Sequence, residues 1–117
     1  MNTLNLLFVC GKNQWRSPTG EAIYRDDQRF EARSAGLSKT AKRRLTLKNL
    51  QWAHLVFVME EEQKGKIAKL YGKENHLPEI VCLDIPDIYP FMDEELIELI
   101  KQGVETELLD WQLGESR

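Results

Sequence analysis

The chain has 117 residues, 42% of them apolar and 30% charged, with a formal net charge of −3. That length suits one domain over residues 1–117, able to bury roughly two thirds of its unfolded surface, and the balance of apolar and charged residues argues against disorder. The charge gives no whole-chain attraction for nucleic acid or anionic membrane, two cysteines are too few for a disulfide scaffold, and no apolar run approaches the roughly 20 residues of a membrane span.

Residues 4–9 (LNLLFV) are a nearly continuous apolar run, as expected of a strand covered on both faces. Residues 10–16 (CGKNQWR) are mostly polar and read as a loop. Ser17 and Pro18 then supply a helix cap and a first helical position. This helix is predicted to run to about residue 27 with Ala22 and Ile23 as its buried stripe; Glu21 sits one place too late for a capping box. Residues 30–35 (FEARSA) alternate and close on Gly36, like a strand near a sheet edge. Residues 37–44 are loop-like, and a short helix over about 46–52 turns Leu47 and Leu50 to the core. Residues 55–59 (LVFVM) read as a central strand. A helix over 60–71 follows, with Glu60, Glu61 and Glu62 favouring its first turn, Ile67, Ala68 and Tyr71 on one face, and Gly72 at its end. Residues 80–83 (IVCL) are a short strand, and 84–90 a loop whose prolines forbid ladder bonds. Asp93 caps a last helix of about 18 residues, in which Leu96, Ile97, Ile100, Val104, Leu108 and Trp111 recur at helical spacing, before a frayed end.

Strands alternating with helices predict the α/β class: a three-layer α/β/α sandwich around a four-stranded parallel sheet, Rossmann-like in plan. Ligands of such folds sit beyond the carboxyl ends of the strands. The 10–16 loop and the 84–89 loop both fall there.

The 10–16 loop has the chemistry of a tetrahedral oxyanion site. Five residues between Cys10 and Arg16 can wrap backbone N–H groups around an anion, and the helix start adds further donors and a positive dipole end. Arg16 forks onto two oxygens while Cys10 faces the central atom, and the same field favours a nucleophilic thiolate. Gly11 permits a tight backbone turn, Asn13 fixes the loop through its amide, and the Ser17 hydroxyl can donate to the thiolate. The spacing alone is weak. Between an apolar strand and a Ser-Pro helix start it is specific, against the alternative of a buried structural cysteine beside a surface arginine. Lys12 either attracts the anion or is simply solvated. Residues 39–48 (KTAKRRLTLK) hold five positive side chains and no negative one, which makes either a solvated face or a positive rim for a phosphorylated or acidic partner.

The segment VCGKNQWRSPTGEAIYR resembles the signature of the low-molecular-weight protein tyrosine phosphatases. The resemblance puts Cys10 on the family nucleophile, Asn13 on the loop-ordering asparagine, Arg16 on the phosphate-binding arginine and Ser17 on the thiolate-stabilising serine. The candidate phosphate cradle is then Cys10, Gly11, Lys12, Asn13, Gln14, Trp15, Arg16 and Ser17. The family's Ser-Ala-Gly recurs at Ser34, Ala35 and Gly36, which implies that Ser34 supports Asn13. Residues 53–59 look like its third strand, with His54 where an aspartate is usual. The match covers most of the chain, loosely after residue 36. The chain is shorter than typical members, with material missing between Gly36 and Trp52 and again in the carboxyl half. Trp15 replaces a second loop cysteine, so disulfide protection of the nucleophile is absent; it either walls the pocket and stacks on an aromatic substrate, packs in the core, or lies exposed.

A phosphate monoester also needs its leaving oxygen protonated, and a carboxyl group on another loop must do it. Asp84 and Asp87 both follow the last strand. The family's Asp-Pro-Tyr corresponds to Asp87, Ile88 and Tyr89, which implies Asp87 as general acid and Tyr89 as an aromatic wall, leaving Asp84 to shape the loop, as in an Asx turn. The implied reaction is phosphomonoester hydrolysis through a phosphocysteine, on a phosphorylated protein or small aryl phosphate, without cofactor or metal. His54 and His76 lack ligand spacing and read as structural or surface and as exposed loop. Three other readings compete. An arsenate reductase needs two further cysteines, and only Cys82 exists, which reads as a core strand residue. A non-catalytic phosphoprotein-binding module needs no poised acid. A nucleic-acid binder rests on the 39–48 run alone. A Walker-type site is excluded for want of a second glycine before a lysine. With no signal-peptide pattern and no disulfide scaffold, a reduced, cytoplasmic setting is expected.

Overall fold

The structure, a computed structural model, describes residues 3–74 and 77–115. His76 and the frayed end expected at 116–117 lie outside the described residues. The elements run β1 (Leu4–Cys10), α1 (Arg16–Tyr24), β2 (Phe30–Gly36), α2 (Leu47–Trp52), β3 (Leu55–Val58), α3 (Glu61–Tyr71), β4 (Glu79–Cys82) and α4 (Glu94–Glu115). All strands pair in parallel, in the order β2-β1-β3-β4. The solidly apolar runs therefore take the two central places and the alternating FEARSA strand an edge, as their patterns predict.

Period two sorts the sheet's side chains between two cores. Leu6, Phe8, Leu55 and Phe57 face Tyr24 of α1 and Leu96, Ile100, Val104 and Leu108 of α4. Leu7, Val9, Val56 and Val58 face Leu50 of α2 and Ile67 of α3. This is the expected α/β/α sandwich. Each fully buried leucine or phenylalanine contributes about 1.5–3 kcal/mol relative to exposure. Phe8 stacks between Tyr24 and Phe57, with ring centroids 6.0 and 5.5 Å away. A Cβ on Gly20 would lie 2.5 Å from the Phe8 ring, so only glycine lets α1 approach the sheet this closely.

Several local expectations differ in detail. Ser17 does not cap α1: the helix begins at Arg16, two residues before the expected Pro18, with Trp15 at the cap position and no side-chain cap bond. It ends at Tyr24, and its buried face is Arg16, Ser17, Thr19, Gly20 and Tyr24, with Ile23 packed partly buried against the core as expected and Ala22 outside it. Leu45, not Leu47, joins the core beside Leu50. In α3 Ala68 is exposed, and Gln63 is buried instead, its carbonyl accepting from the Met59 and Glu60 N–H groups. The cap by Asp93 is present through bonds from the Glu95 and Leu96 N–H groups, and α4 extends to 22 residues. Among the described residues no helix is long and apolar enough to cross a membrane.

β1 lies between β2 and β3, so the chain leaves its carboxyl end at the point where the strand order reverses. In an open parallel sheet that point forms a crevice. The 10–16 loop occupies it.

Candidate active site

The crevice is a cavity of about 440 Å³ lined by Cys10, Gly11, Lys12, Gln14, Trp15, Arg16, Ser38 and Asp87. Its geometry starts with where the loop's carbonyls go. The Cys10, Gly11 and Lys12 oxygens accept from the Leu37, Ser38 and Lys42 N–H groups at 3.0, 2.8 and 3.2 Å. These bonds turn the carbonyls away from the crevice. The backbone N–H groups of residues 11–17 donate to no protein acceptor among the described residues. A run of unpartnered N–H groups beside a helix start is a receptor for an anion.

Cys10 Sγ lies 2.9 Å from Ser17 Oγ, and the Asn13 amide donates to the same hydroxyl at 2.9 Å. Asn13 is buried and holds φ 54°, a left-handed conformation that asparagine tolerates better than other side chains. The expected Gly11 turn is therefore made by Asn13. Gly11 has no positive φ, and a Cβ there would meet nothing within 4 Å. The glycine the loop needs is Gly36, where a Cβ would lie 2.7 Å from Gly11 O, 2.9 Å from Asn13 N and 2.6 Å from Ala41 Cβ.

Arg16 is buried and anchored by one nitrogen. Its Nη1 donates to Glu60 at 2.5 Å and to the Ile85 carbonyl at 2.8 Å. Its Nε lies 3.5 Å from the Asp87 carboxylate, and its Nη2 makes no bond among the described residues. The Nε/Nη2 edge is thus the one left for a bidentate anion. Asp87, with a side chain 61% exposed, lines the same cavity as Cys10. The structure so brings together Cys10, Lys12, Gln14, Trp15, Arg16 and Asp87 around one space, with Ser17 and Asn13 directly behind it.

Three expected supports fall elsewhere. Ser34 does not reach Asn13; its hydroxyl donates to Glu21 at 2.5 Å, and Glu21 also accepts from Arg43 at 2.9 Å. Tyr89 is not a cavity wall, because its hydroxyl bonds Glu95 on α4, which also pushes its pKa up. The aromatic wall is Trp15, 42% exposed. Asp84 is exposed and shapes the loop through its backbone, at φ 57°, rather than through an Asx bond. Sequence reasoning missed Glu60, Ser38 and Gly36 as parts of the site. Glu60 lies two residues past the end of β3, at the same carboxyl end of the sheet as Cys10, and that position was the available signal. Cys82 packs partly buried behind the sheet, and burial, then its bond with Glu61, raises its thiol pKa. His54 accepts from the Asn5 N–H, away from the cavity. Among the described residues no group of three or more His, Cys, Asp or Glu side chains could hold a metal.

No protein-family model matches the chain, and no curated protein matches it. Solved structures do. YfkJ from Bacillus subtilis is 24% identical, with 97% of this chain and 98% of that one covered at a TM-score of 0.69. A low molecular weight phosphotyrosine phosphatase from Vibrio cholerae is 21% identical, with 93% and 97% covered at 0.73. The YwlE arginine phosphatase from Geobacillus stearothermophilus is 22% identical, with 92% and 96% covered at 0.64. The overlap spans nearly the whole of each chain. The chain therefore has the fold of the low molecular weight protein tyrosine phosphatases.

Proposed function

We propose that the chain is a cysteine-dependent phosphatase that hydrolyses phosphorylated proteins, with phosphotyrosine as the substrate group. The observation that carries this reading is the Cys10 Sγ–Ser17 Oγ contact of 2.9 Å at the base of a loop whose N–H groups are unpartnered. The Ser17 hydroxyl also reaches the Ala35 carbonyl at 3.4 Å, but an ionised Cys10 can only accept, so the hydroxyl then donates to sulfur and stabilises the thiolate both as nucleophile and as leaving group.

In the first step Cys10 Sγ bonds to phosphorus as the bond from phosphorus to the ester oxygen breaks. Asp87 gives its proton to that oxygen, and the alcohol or phenol departs. In the second step water attacks the phosphocysteine, Asp87 takes the water's proton, and the S–P bond breaks to return thiolate and free phosphate. The Nε/Nη2 edge of Arg16 and the loop N–H groups hold the equatorial oxygens throughout. These donors supply the positive charge that a metal provides in other phosphatases. Trp15 at the cavity mouth suits an aryl group. The chemistry needs a reduced Cys10, and both cysteines are free, which favours the cytoplasm as the setting.

Phosphoarginine is the second reading, since arginine phosphatases from Geobacillus stearothermophilus and Drosophila share the fold. Assay of phosphotyrosyl and phosphoarginyl peptides of one sequence separates the two. On an aryl phosphate we expect turnover insensitive to a chelator, none in Cys10→Ser, and a loss of about 10²-fold or more in Asp87→Asn, in which the fall in kcat/KM at high pH that marks a general acid also disappears. Turnover surviving Cys10→Ser overturns the mechanism.

A further inference from the structure

Next to the Cys10 cavity lies a second one of about 400 Å³, lined by Gln14, Trp15, Pro18, Lys42, Arg43 and Phe91 among others. Gln14 and Trp15 line both cavities, so the two are adjacent.

The second cavity is a fixed feature of the fold. Thr19, fully buried in α1, donates to the Trp15 carbonyl at 2.6 Å and accepts from the Met92 N–H at 2.9 Å. One hydroxyl so holds the backbone beneath both aromatic walls, Trp15 and Phe91. Met92 is held at φ 63°, an uncommon conformation for such a side chain. On the opposite side the Lys42 N–H donates to the Lys12 carbonyl at 3.2 Å, tying Lys42 to the phosphate loop itself.

Its charge is one-sided. No acidic residue lines it, and Lys42 is exposed and makes no ion pair among the described residues. Arg43 is paired with Glu21 but still 60% exposed. Two partly exposed aromatic rings and two cations in one lining suit a carboxylate carried on an apolar stem. Because Gln14 and Trp15 belong to both linings, a peptide whose phosphorylated residue enters the first cavity can present a neighbouring side chain to the second.

We propose that this cavity is a substrate subsite that selects an acidic side chain flanking the phosphorylated residue, with Lys42 as the specificity-determining cation. The proposal rests on the phosphatase reading above. The test is a series of phosphotyrosyl peptides with a single Glu moved through the three positions on either side of the phosphorylated residue, against an all-neutral parent peptide. At least one Glu position should raise kcat/KM about threefold, with the gain fading at high salt. The ratio of acidic to neutral peptide should fall to one in Lys42→Gln and below one in Lys42→Glu. A flat series, or a ratio unchanged in Lys42→Glu, overturns the subsite while hydrolysis of the neutral peptide leaves the phosphatase reading standing. If no peptide is hydrolysed, the phosphotyrosine reading fails, and the ratio of peptide Kd values must then show the same Lys42 dependence or the subsite fails with it.

Discussion

Gly36→Ala tests how the phosphate loop is held. The added Cβ would meet Gly11 O at 2.7 Å, Asn13 N at 2.9 Å and Ala41 Cβ at 2.6 Å. Two of these are backbone atoms of the loop, so no flexible side chain can swing away. The loop must move by roughly 0.5 Å, or the β2 end must retreat and lose the Gly36 bonds with Arg43 and Leu45 at 2.7 and 2.8 Å. Overpacking of this kind costs about 1–3 kcal/mol. Displacing the N–H groups and Cys10 by a fraction of an ångström should lower kcat/KM by about 10- to 100-fold, with aryl phosphate turnover and urea unfolding as the assays. The control is Gly11→Ala, whose Cβ meets nothing within 4 Å and whose φ is not positive. It should leave stability within about 0.5 kcal/mol or raise it slightly through the unfolded state. If Gly11→Ala unfolds more readily than Gly36→Ala, the account of the loop's support is wrong.

Glu60→Gln removes the carboxylate that meets Arg16 at 2.5 Å. Arg16 is buried, but the Glu60 side chain is 40% exposed, so the stability loss should be nearer 1–2 kcal/mol than the larger cost of a fully buried pair. With Nη1 held by the Ile85 carbonyl alone, the guanidinium edge loosens, and kcat/KM should drop about tenfold while Tm falls only a few degrees; unchanged kinetics would reject the anchor. Gly65 is an exposed glycine inside α3 with open space at its Cβ position. Gly65→Ala should therefore stabilise by about 0.5–1 kcal/mol in urea melts, and a loss would show that the backbone there is not helical. Burial, then the charge and hydrogen bond of Glu79, raise the Glu107 pKa above the ordinary carboxyl value. Protonated Glu107 is the form the fold prefers, so its contribution is complete below the unfolded pKa and lost as pH rises through the higher folded one. Glu107→Gln should then be more stable than the parent at neutral pH, and the difference should vanish under acid conditions; an equal difference at both would refute the shift.

The sequence made legible whatever is local. β1 and β3 were readable because their apolar runs exceed what an edge strand tolerates, and the 10–16 loop because nucleophile, arginine and helix start adjoin in the chain. The loop that carries Asp84 and Asp87 was readable because a parallel sheet forces the chain after β4 to the same edge as the loop after β1, whereas the choice of Asp87 between them came from the family resemblance. The Glu60 bond with Arg16 spans 44 residues and the Ile85 bond 69, and no pattern in either segment records such a pairing. Ser34 and Tyr89 show the same difficulty from the other side. Each was expected to face the site, but each found a nearer carboxylate, Glu21 and Glu95. Glycine is ambiguous for a related reason. Gly11 sits in the loop and Gly36 outside it, yet only Gly36 has its Cβ direction blocked by the loop's backbone, a fact of the packing between two strands rather than of either one.

Each strand end contributes one part of the site. β1 delivers Cys10 and the N–H groups that follow; β2 ends on Gly36, against which the loop rests. β3 is followed by Met59 and then Glu60, which holds Arg16. β4 is followed by Ile85, whose carbonyl shares that arginine and whose N–H donates to the Met59 carbonyl at 2.8 Å, and then by Asp87. Only an all-parallel sheet places four carboxyl ends at one edge; an antiparallel strand would withdraw its part to the other side of the molecule. An arginine that must be both buried and free along one edge needs acceptors for its remaining donors, and the ends of β3 and β4 are the nearest backbone to supply them. The strand order β2-β1-β3-β4 is thus a condition of the proposed chemistry, because moving β1 to a sheet edge would separate Cys10 from either Gly36 or Glu60.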